Sequence, residues 1–325
     1  MKKSVSVIIT TLNAGEIFDK CLDSIVSQDY SGKYEIIVVD AGSNDETVEI
    51  ARKYKAKVII KKGINRAEGR QLGVDNASGE IIVFTDSDCV PTKNWLKNLV
   101  KNFPGCAAVG GIVKGADMSS CLNRIEDWRI RKFYERREKQ VKYIPTWNAA
   151  FLKSVIDDVG GFNLSLGVSE DVDISTRILK KEYLIIFDKE AQVYHYHRST
   201  LKSYLNQNYL YGQGRAVLMK LHGFDKKIFL FFTLMILSLI NLIYILYIYI
   251  KNIPVGAATV FLLLFPFFIV SIFNPYSIPL AIDVFLYGDP VFILIPFLEY
   301  LRSLVQALGF FKGIVRPDAR VFCRK

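Results

Sequence analysis

The chain has 325 residues, 51% of them hydrophobic, a formal net charge of +10 and five cysteines. Its basic residues gather between Arg124 and Lys142 and again after Lys312, beside strongly apolar segments. Anionic lipid headgroups and phosphorylated ligands are therefore the expected partners, not nucleic acid. Cys21, Cys89, Cys106, Cys121 and Cys323 are odd in number and lack the short paired spacing of zinc or redox centres, so reduced thiols in a cytosolic setting are expected.

Ser4 to Thr11 opens the chain with polar residues interrupting an apolar run and a turn directly behind it, which predicts a strand and not a signal peptide. Up to about residue 90, short β-branched runs alternate with amphipathic stretches. The runs are Val5 to Thr10, Glu35 to Val39, Val58 to Lys61 and Ile81 to Thr85. The helical stretches between them are Glu16 to Gln28, Asp45 to Tyr54 and Ile64 to Ala77. Near-continuous apolar strands separated by helices predict an α/β fold with a parallel sheet covered on both faces.

From Pro91 to Gly223 the order is less regular. Helices are expected over Trp95 to Asn102, Cys121 to Lys139 and Ser169 to Lys180, and strands over Ala107 to Val113, Ala149 to Lys153, Leu184 to Phe187 and Gln192 to Tyr196. Composition then changes sharply. Residues 228–250 carry no formal charge and are long enough to cross a hydrocarbon core of about 30 Å. Residues 254–273 are apolar enough to cross back. The segment 278–314 holds Asp283, Asp289, Glu299, Arg302 and Lys312 and is not a clean span, whereas 315–325 is a basic tail. Two crossings keep that tail on the cytosolic side with a catalytic domain at 1–223, as the positive-inside rule requires, and leave Pro296 to Phe311 as a helix lying in the interface.

Three groups carry chemistry. Asp86 and Asp88 form an acidic turn behind a buried strand, the place where open α/β sheets bind ligands, and one or two carboxylates suffice for Mg²⁺ when substrate phosphates complete its shell. Such a turn can also be a mere solvated loop. Glu170 and Asp171 open a helix; they can simply complement its dipole with Ser169 as cap, or Asp171 can take a proton from an attacking hydroxyl. His195 and His197 alternate onto one side of a strand, within reach of a metal or diphosphate or as ordinary sheet residues. Arg215, in Gln213-Gly214-Arg215, is suited to clamping a departing diphosphate or to lipid headgroups.

Taken together, Val7 to Asn13, Cys21 to Ile25 with Gln28, Glu35 to Asp40 with Gly42-Ser43 and Asp45, Gly69 to Gly73, Ala77 to Glu80, Phe84 to Asp88, Trp147 to Phe151, Gly160 to Phe162 and Glu170 to Asp173 resemble a family two glycosyltransferase of the GT-A fold. The resemblance spans roughly residues 4 to 215. It implies a Rossmann-like, mostly parallel catalytic domain that uses a divalent metal, Mg²⁺ or Mn²⁺, and a nucleoside-diphosphate-sugar. Asp40 would read the nucleobase, uracil in the leading reading, with Thr11 and Arg70 near the nucleoside. Asp86 would touch ribose or metal, Asp88 would ligate the metal, and His195 would approach metal or diphosphate. Asp171 would be the base of an inverting displacement, with Trp147, Asn148 and Glu170 about the acceptor or donor-sugar pocket.

Trp147 stands where a glycine is common, Gln71 replaces a usual asparagine, and Gln213-Gly214-Arg215 only loosely resembles the Q-x-x-R-W of processive synthases. The expected reaction is therefore transfer of one sugar to a polyprenyl-linked lipid acceptor at the cytosolic membrane face. A sugar nucleotidyltransferase is the second reading, disfavoured because Thr10 to Gly15 holds one glycine and no basic residue. A non-catalytic membrane scaffold is the third.

Overall fold

The computed structural model describes residues 3–250 and 294–315, apart from 104 and 136. The expected crossing at 254–273, the part of 278–314 before residue 294 and the tail from 316 onward lie outside the described residues. By internal contacts the chain divides into two units, one of Met1–Met118 and Phe133–His197, the other of Ser119–Lys132 and Arg198–Asp318.

The first unit is built on an eight-stranded sheet: β1 (Val5–Thr11), β2 (Tyr34–Asp40), β3 (Lys57–Ile60), β4 (Ile81–Asp86), β5 (Cys89–Pro91), β6 (Ala108–Gly115), β7 (Asn148–Leu152) and β8 (Ile185–His195), in the spatial order β3-β2-β1-β4-β7-β6-β8-β5. The strands β1, β2 and β4 are apolar along nearly their whole length because both faces are covered; Val7, Ile8, Ile9, Ile37, Val38, Ile82 and Val83 are fully buried. Helices α1 (Glu16–Val26), α2 (Thr47–Lys53) and α3 (Arg66–Asp75) connect them. Parallel pairing places Thr11 beside Asp40, and Thr10 beside Asp86, so these residues share one rim at the carboxyl ends of three strands.

The expectation of a mostly parallel sheet holds for β1, β2, β3, β4, β6 and β8, which all run one way, while β7 and β5 run against them. Strand β7 enters antiparallel between β4 and β6, and β5 runs antiparallel to β8, while β6 and β8 are parallel. A run such as Ala149 to Leu152 reads alike in either direction, so periodicity carries no sign of strand sense. The two strands expected at Leu184 to Phe187 and Gln192 to Tyr196 are one strand, β8, with an irregularity: Gly111 faces Asp188 while Ile112 faces Gln192. The exposed Lys189 and Glu190 arch out at this bulge, which mimics a turn in the sequence. Helices α4 (Trp95–Val100), α5 (Cys121–Glu135), α6 (Lys153–Asp158) and α7 (Glu170–Lys180) fall within the remaining connections, and α5 continues from the second unit into the first.

In the second unit, α8 (Leu201–His222), α9 (Lys226–Ile250) and α10 (Ile295–Val315) pack together. Helices α8 and α10 touch backbone to backbone: a Cβ on Gly212 would run into the Gln306 carbonyl oxygen and one on Gly309 into that of Tyr209. The polar groups face inward. Gln306 Nε2 donates to Asn208 Oδ1 at 2.7 Å, Ser238 and Tyr300 share a hydroxyl–hydroxyl bond of 3.2 Å, and Glu299 pairs with Arg302 at 2.6 Å. Leu230, Leu237, Ile240 and Ile243 of α9 and Phe297 and Leu308 of α10 face outward. Among the described residues one helix is long and apolar enough to cross a membrane, Lys226–Tyr244, with mean hydropathy 2.1 and 18% of it buried.

Candidate functional site

The rim of the sheet collects the expected side chains from the first unit. Asp40, at the end of β2, is fully buried; its Oδ1 accepts from the Gly42 and Ser43 amides at 2.9 and 2.8 Å, and its Oδ2 from the Ser43 hydroxyl. Asp40 thus shapes its own loop. That loop is laced to the one following β1, because Asn13 N donates to Ser43 Oγ, Asn44 N to Asn13 Oδ1 and Gly15 N to Asp45 Oδ2. Ser43 and Asp45 therefore set the loop geometry around Thr11, whose buried Oγ1 has no hydrogen-bond partner among the described residues.

Arg70, on α3, links two distant acids. Its Nη2 donates to Asp86 Oδ1 at 3.0 Å and its Nη1 donates to Glu170 Oε1, with both Arg70 and Glu170 buried. Arg70 and Glu170 are therefore engaged with each other inside the protein and do not line open space. Asp86 remains partly exposed. Ser169, expected to cap α7 with its hydroxyl, makes no capping bond; it sits in the left-handed region at φ 65°, a conformation costing a non-glycine residue about 1–2 kcal/mol. That turn swings Glu170 towards Arg70 and leaves Asp171 beside it at the first turn of α7.

Asp171 accepts from the Val172 amide at 2.8 Å. Desolvation first, and the neighbouring Glu170 carboxylate second, push its carboxyl up to about 7 against the opposing pull of Arg70. An aspartate near its usual value is a poor base towards a hydroxyl in the ground state. Raised to near neutrality, it meets the condition for general base catalysis at physiological pH.

On the other side of the rim, β4 turns through Asp88 into β5, whose Cys89 is registered against His195 of β8. Asp88 Oδ1 and His195 Nε2 stand 3.4 Å apart. Two ligands each about 2.1 Å from one ion are separated by roughly 3.0–3.4 Å at angles between a right angle and a tetrahedral one, so this pair fits a shared divalent cation. The donor types agree, carboxylate with imidazole. Cys89 Sγ lies within the same cluster, 4.8 Å or less from both, but burial and the charges of Asp88 and Asp86 keep it a thiol, which is no ligand for a hard cation. Cys89 follows Asp88 in the chain, and the pairing of β5 with β8 sets it opposite His195.

Trp147 tilts its ring over His195, centroids 4.9 Å apart, and its carbonyl accepts from Thr85 Oγ1 at 3.1 Å. Next to it, Asn148 is buried in the sheet and does not line a pocket: Oδ1 accepts from the Trp95 indole at 2.8 Å, and Nδ2 donates to the Ile112 and Ala191 carbonyls at 2.9 and 3.0 Å. Gly111 makes room for this junction, since a Cβ there would meet the Ala191 oxygen and the Asn148 amide. Asn148 holds the wall on which Trp147 stands. Arg215 belongs to α8 in the second unit, exposed, with its guanidinium 5.8 Å from the Phe232 ring.

Residues 6–160 match the family model described as "Glycosyl transferase family 2". The glycosyltransferase AglE of Haloferax volcanii is 31% identical over 197 residues, which are 56% of this chain and 64% of that protein. The Methanococcus voltae dolichyl N-acetyl-alpha-D-glucosaminyl phosphate 3-beta-D-2,3-diacetamido-2,3-dideoxy-beta-D-glucuronosyltransferase is 22% identical over 97% of this chain and 98% of its own length. The chain thus spans just under two thirds of the first relative and nearly all of the second. Among solved structures, the mannosyltransferase PcManGT from Pyrobaculum calidifontis, in complex with GDP-Man and Mn2+, aligns with a TM-score of 0.55 at 24% identity, over 66% of this chain and 63% of that one. That likeness is one of fold.

Proposed function

We propose, from the premise that residues 6–160 are a domain of Glycosyl transferase family 2, that this chain transfers one sugar from a nucleoside-diphosphate-sugar to the hydroxyl of a lipid-linked acceptor at a membrane surface. The observation that carries the reading is the carboxyl of Asp171, raised to about 7 beside the Glu170 that Arg70 ties to Asp86.

Asp171 takes the acceptor hydroxyl's proton as the oxygen bonds to the anomeric carbon. The bond from that carbon to the diphosphate oxygen breaks, and its electron pair leaves with the nucleoside diphosphate, inverting the centre. Asp88 Oδ1 and His195 Nε2, with Asp86 nearby, would hold a divalent cation, Mg²⁺ or Mn²⁺, which supplies charge neutralisation for the leaving diphosphate. Thr11 and the loop shaped by Asp40 would receive the nucleoside, a uridine in the leading reading. The ring of Trp147 offers a face for a sugar.

A lipid-linked acceptor accords with the inward-facing polar groups and outward-facing apolar side chains of the second unit, the arrangement expected where lipid replaces water as the solvent. The expected orientation keeps the catalytic domain on the cytoplasmic face.

The test is release of nucleoside diphosphate from a panel of UDP- and GDP-sugars by the detergent-solubilised full chain, with membrane lipid extract as acceptor, with and without EDTA. Transfer dependent on lipid and abolished by EDTA is expected. Pyrophosphate release from a nucleoside triphosphate instead would replace this reading with sugar nucleotidyl transfer.

A further inference from the structure

The imidazoles of His195 and His197 meet Nδ1 to Nδ1 at 2.9 Å, with ring centroids 4.9 Å apart in an edge-on arrangement. Two neutral nitrogens at that distance share one proton, so one Nδ1 donates and the other must accept. The other nitrogen of His195, Nε2, faces Asp88 Oδ1. A metal can bind Nε2 only through its lone pair, which requires His195 to carry its proton on Nδ1. That tautomer is allowed only if His197 Nδ1 accepts.

We propose that His197 is a positioning residue: its Nδ1 accepts the proton of His195 Nδ1, fixing the imidazole of His195 in the one tautomer that presents a lone pair beside Asp88 to a divalent cation. The reverse arrangement, with His197 Nδ1 donating, places a proton on His195 Nε2 and closes the site to metal. His197 is itself buried, and it follows the end of β8 by two residues, so its ring is held by the fold. Tyr196 between them is anchored through its backbone amide to the Asp88 carbonyl at 2.9 Å, which ties the histidine segment to the acidic turn it serves. The ring of Trp147 packs against His195 as well and limits how far its imidazole can turn.

This inference rests on the metal reading given above, and the experiment separates the two. Mn²⁺ binding to the full chain, in detergent with UDP present, is read from the loss of the free-ion electron paramagnetic resonance signal, for wild type, His197→Phe and His197→Asn. Removing an outer partner of a metal-bound histidine weakens affinity about 10–100-fold, and His197→Phe is expected to do so. His197→Asn keeps a side-chain oxygen near the position of Nδ1 and is expected to stay within about threefold of wild type. His197→Phe binding Mn²⁺ as tightly as wild type, while melting normally without metal, overturns the positioning role and leaves the metal site standing. Wild type binding no Mn²⁺ overturns both. Should His197→Phe not fold, ¹⁵N spectra of the Mg²⁺-loaded wild type decide: His195 protonated at Nδ1 supports the proposal, and protonation at Nε2 overturns it.

Discussion

Asp171→Asn tests catalysis and folding energetics in one protein. An acid raised from 3.8 to about 7 is costly to keep ionised in the folded chain; at 1.36 kcal/mol per factor of ten the ceiling is about 4 kcal/mol. Asp171 is partly exposed, and solvent screening reduces this to about 2 kcal/mol. Because the folded-state value is raised, the folded chain still holds the proton between about pH 4 and 7, where the unfolded chain has lost it. Stability therefore falls as pH rises through that window, and the full penalty is present above it. Asparagine carries no charge and can still accept from the Val172 amide. At pH 8 the variant is expected to exceed wild type by about 2 kcal/mol, a melting rise of roughly 4–8 °C, and at pH 4 the two should coincide. Turnover on a hydroxyl acceptor should drop about 10²–10⁴-fold, while wild-type kcat/KM climbs about tenfold per pH step up to about 7 and then levels. Equal melting at pH 8 refutes the energetic cost assigned to ionising Asp171. Retained turnover refutes the role as base.

Asn148→Ala leaves the Trp95 indole and the carbonyls of Ile112 and Ala191 without their partner, at about 1–3 kcal/mol each, so a loss of about 3 kcal/mol or more is expected in chemical denaturation. A loss under about 1 kcal/mol would show that the junction relaxes. Arg70→Met strands Glu170 in the interior and should destabilise by about 3–5 kcal/mol, most of it recovered when Glu170→Gln is added; failure of that recovery removes the ion pair from the explanation. Mn²⁺ together with UDP or GDP at about 100 times its Kd should stabilise the chain by about 2.7 kcal/mol in a melting assay, an effect absent with EDTA or in Asp88→Asn. Persistence of the shift in Asp88→Asn would place the cation elsewhere.

Much of the first half of the fold is legible in the sequence, because burial on both faces forces β1, β2 and β4 to be apolar along most of their length and leaves the polar groups Thr10 and Thr11, Asp40, and Thr85 and Asp86 at their carboxyl ends. Beyond residue 90 the same rule loses power. Ala149 to Leu152 does not announce that it runs against β4, and Asp188 to Glu190 looks like a turn although β8 continues through it. Asn148 illustrates the limit at the site. Its residue type suits a polar pocket, yet its three hydrogen bonds reach Trp95, Ile112 and Ala191, partners 36 or more residues away that only the assembled sheet supplies.

The acidic pair at the start of α7 shows why residue type alone does not set a role. Glu170 and Asp171 are neighbours in the chain, each able to act as base, acid or ligand. The left-handed turn at Ser169 aims Glu170 at Arg70, which lies 100 residues earlier in the chain, and the ion pair holds it as a fixed negative charge inside the protein. Asp171 accepts from the Val172 amide instead, and desolvation first and the neighbouring Glu170 second drive its carboxyl up to about 7. Two like neighbours are thereby given different surroundings, one inside a buried ion pair and one partly exposed at the first turn of the helix. That arrangement depends on Arg70 reaching Glu170 and Asp86 together, so the residue that the sequence suggests for nucleoside binding also fixes the carboxylate beside Asp171.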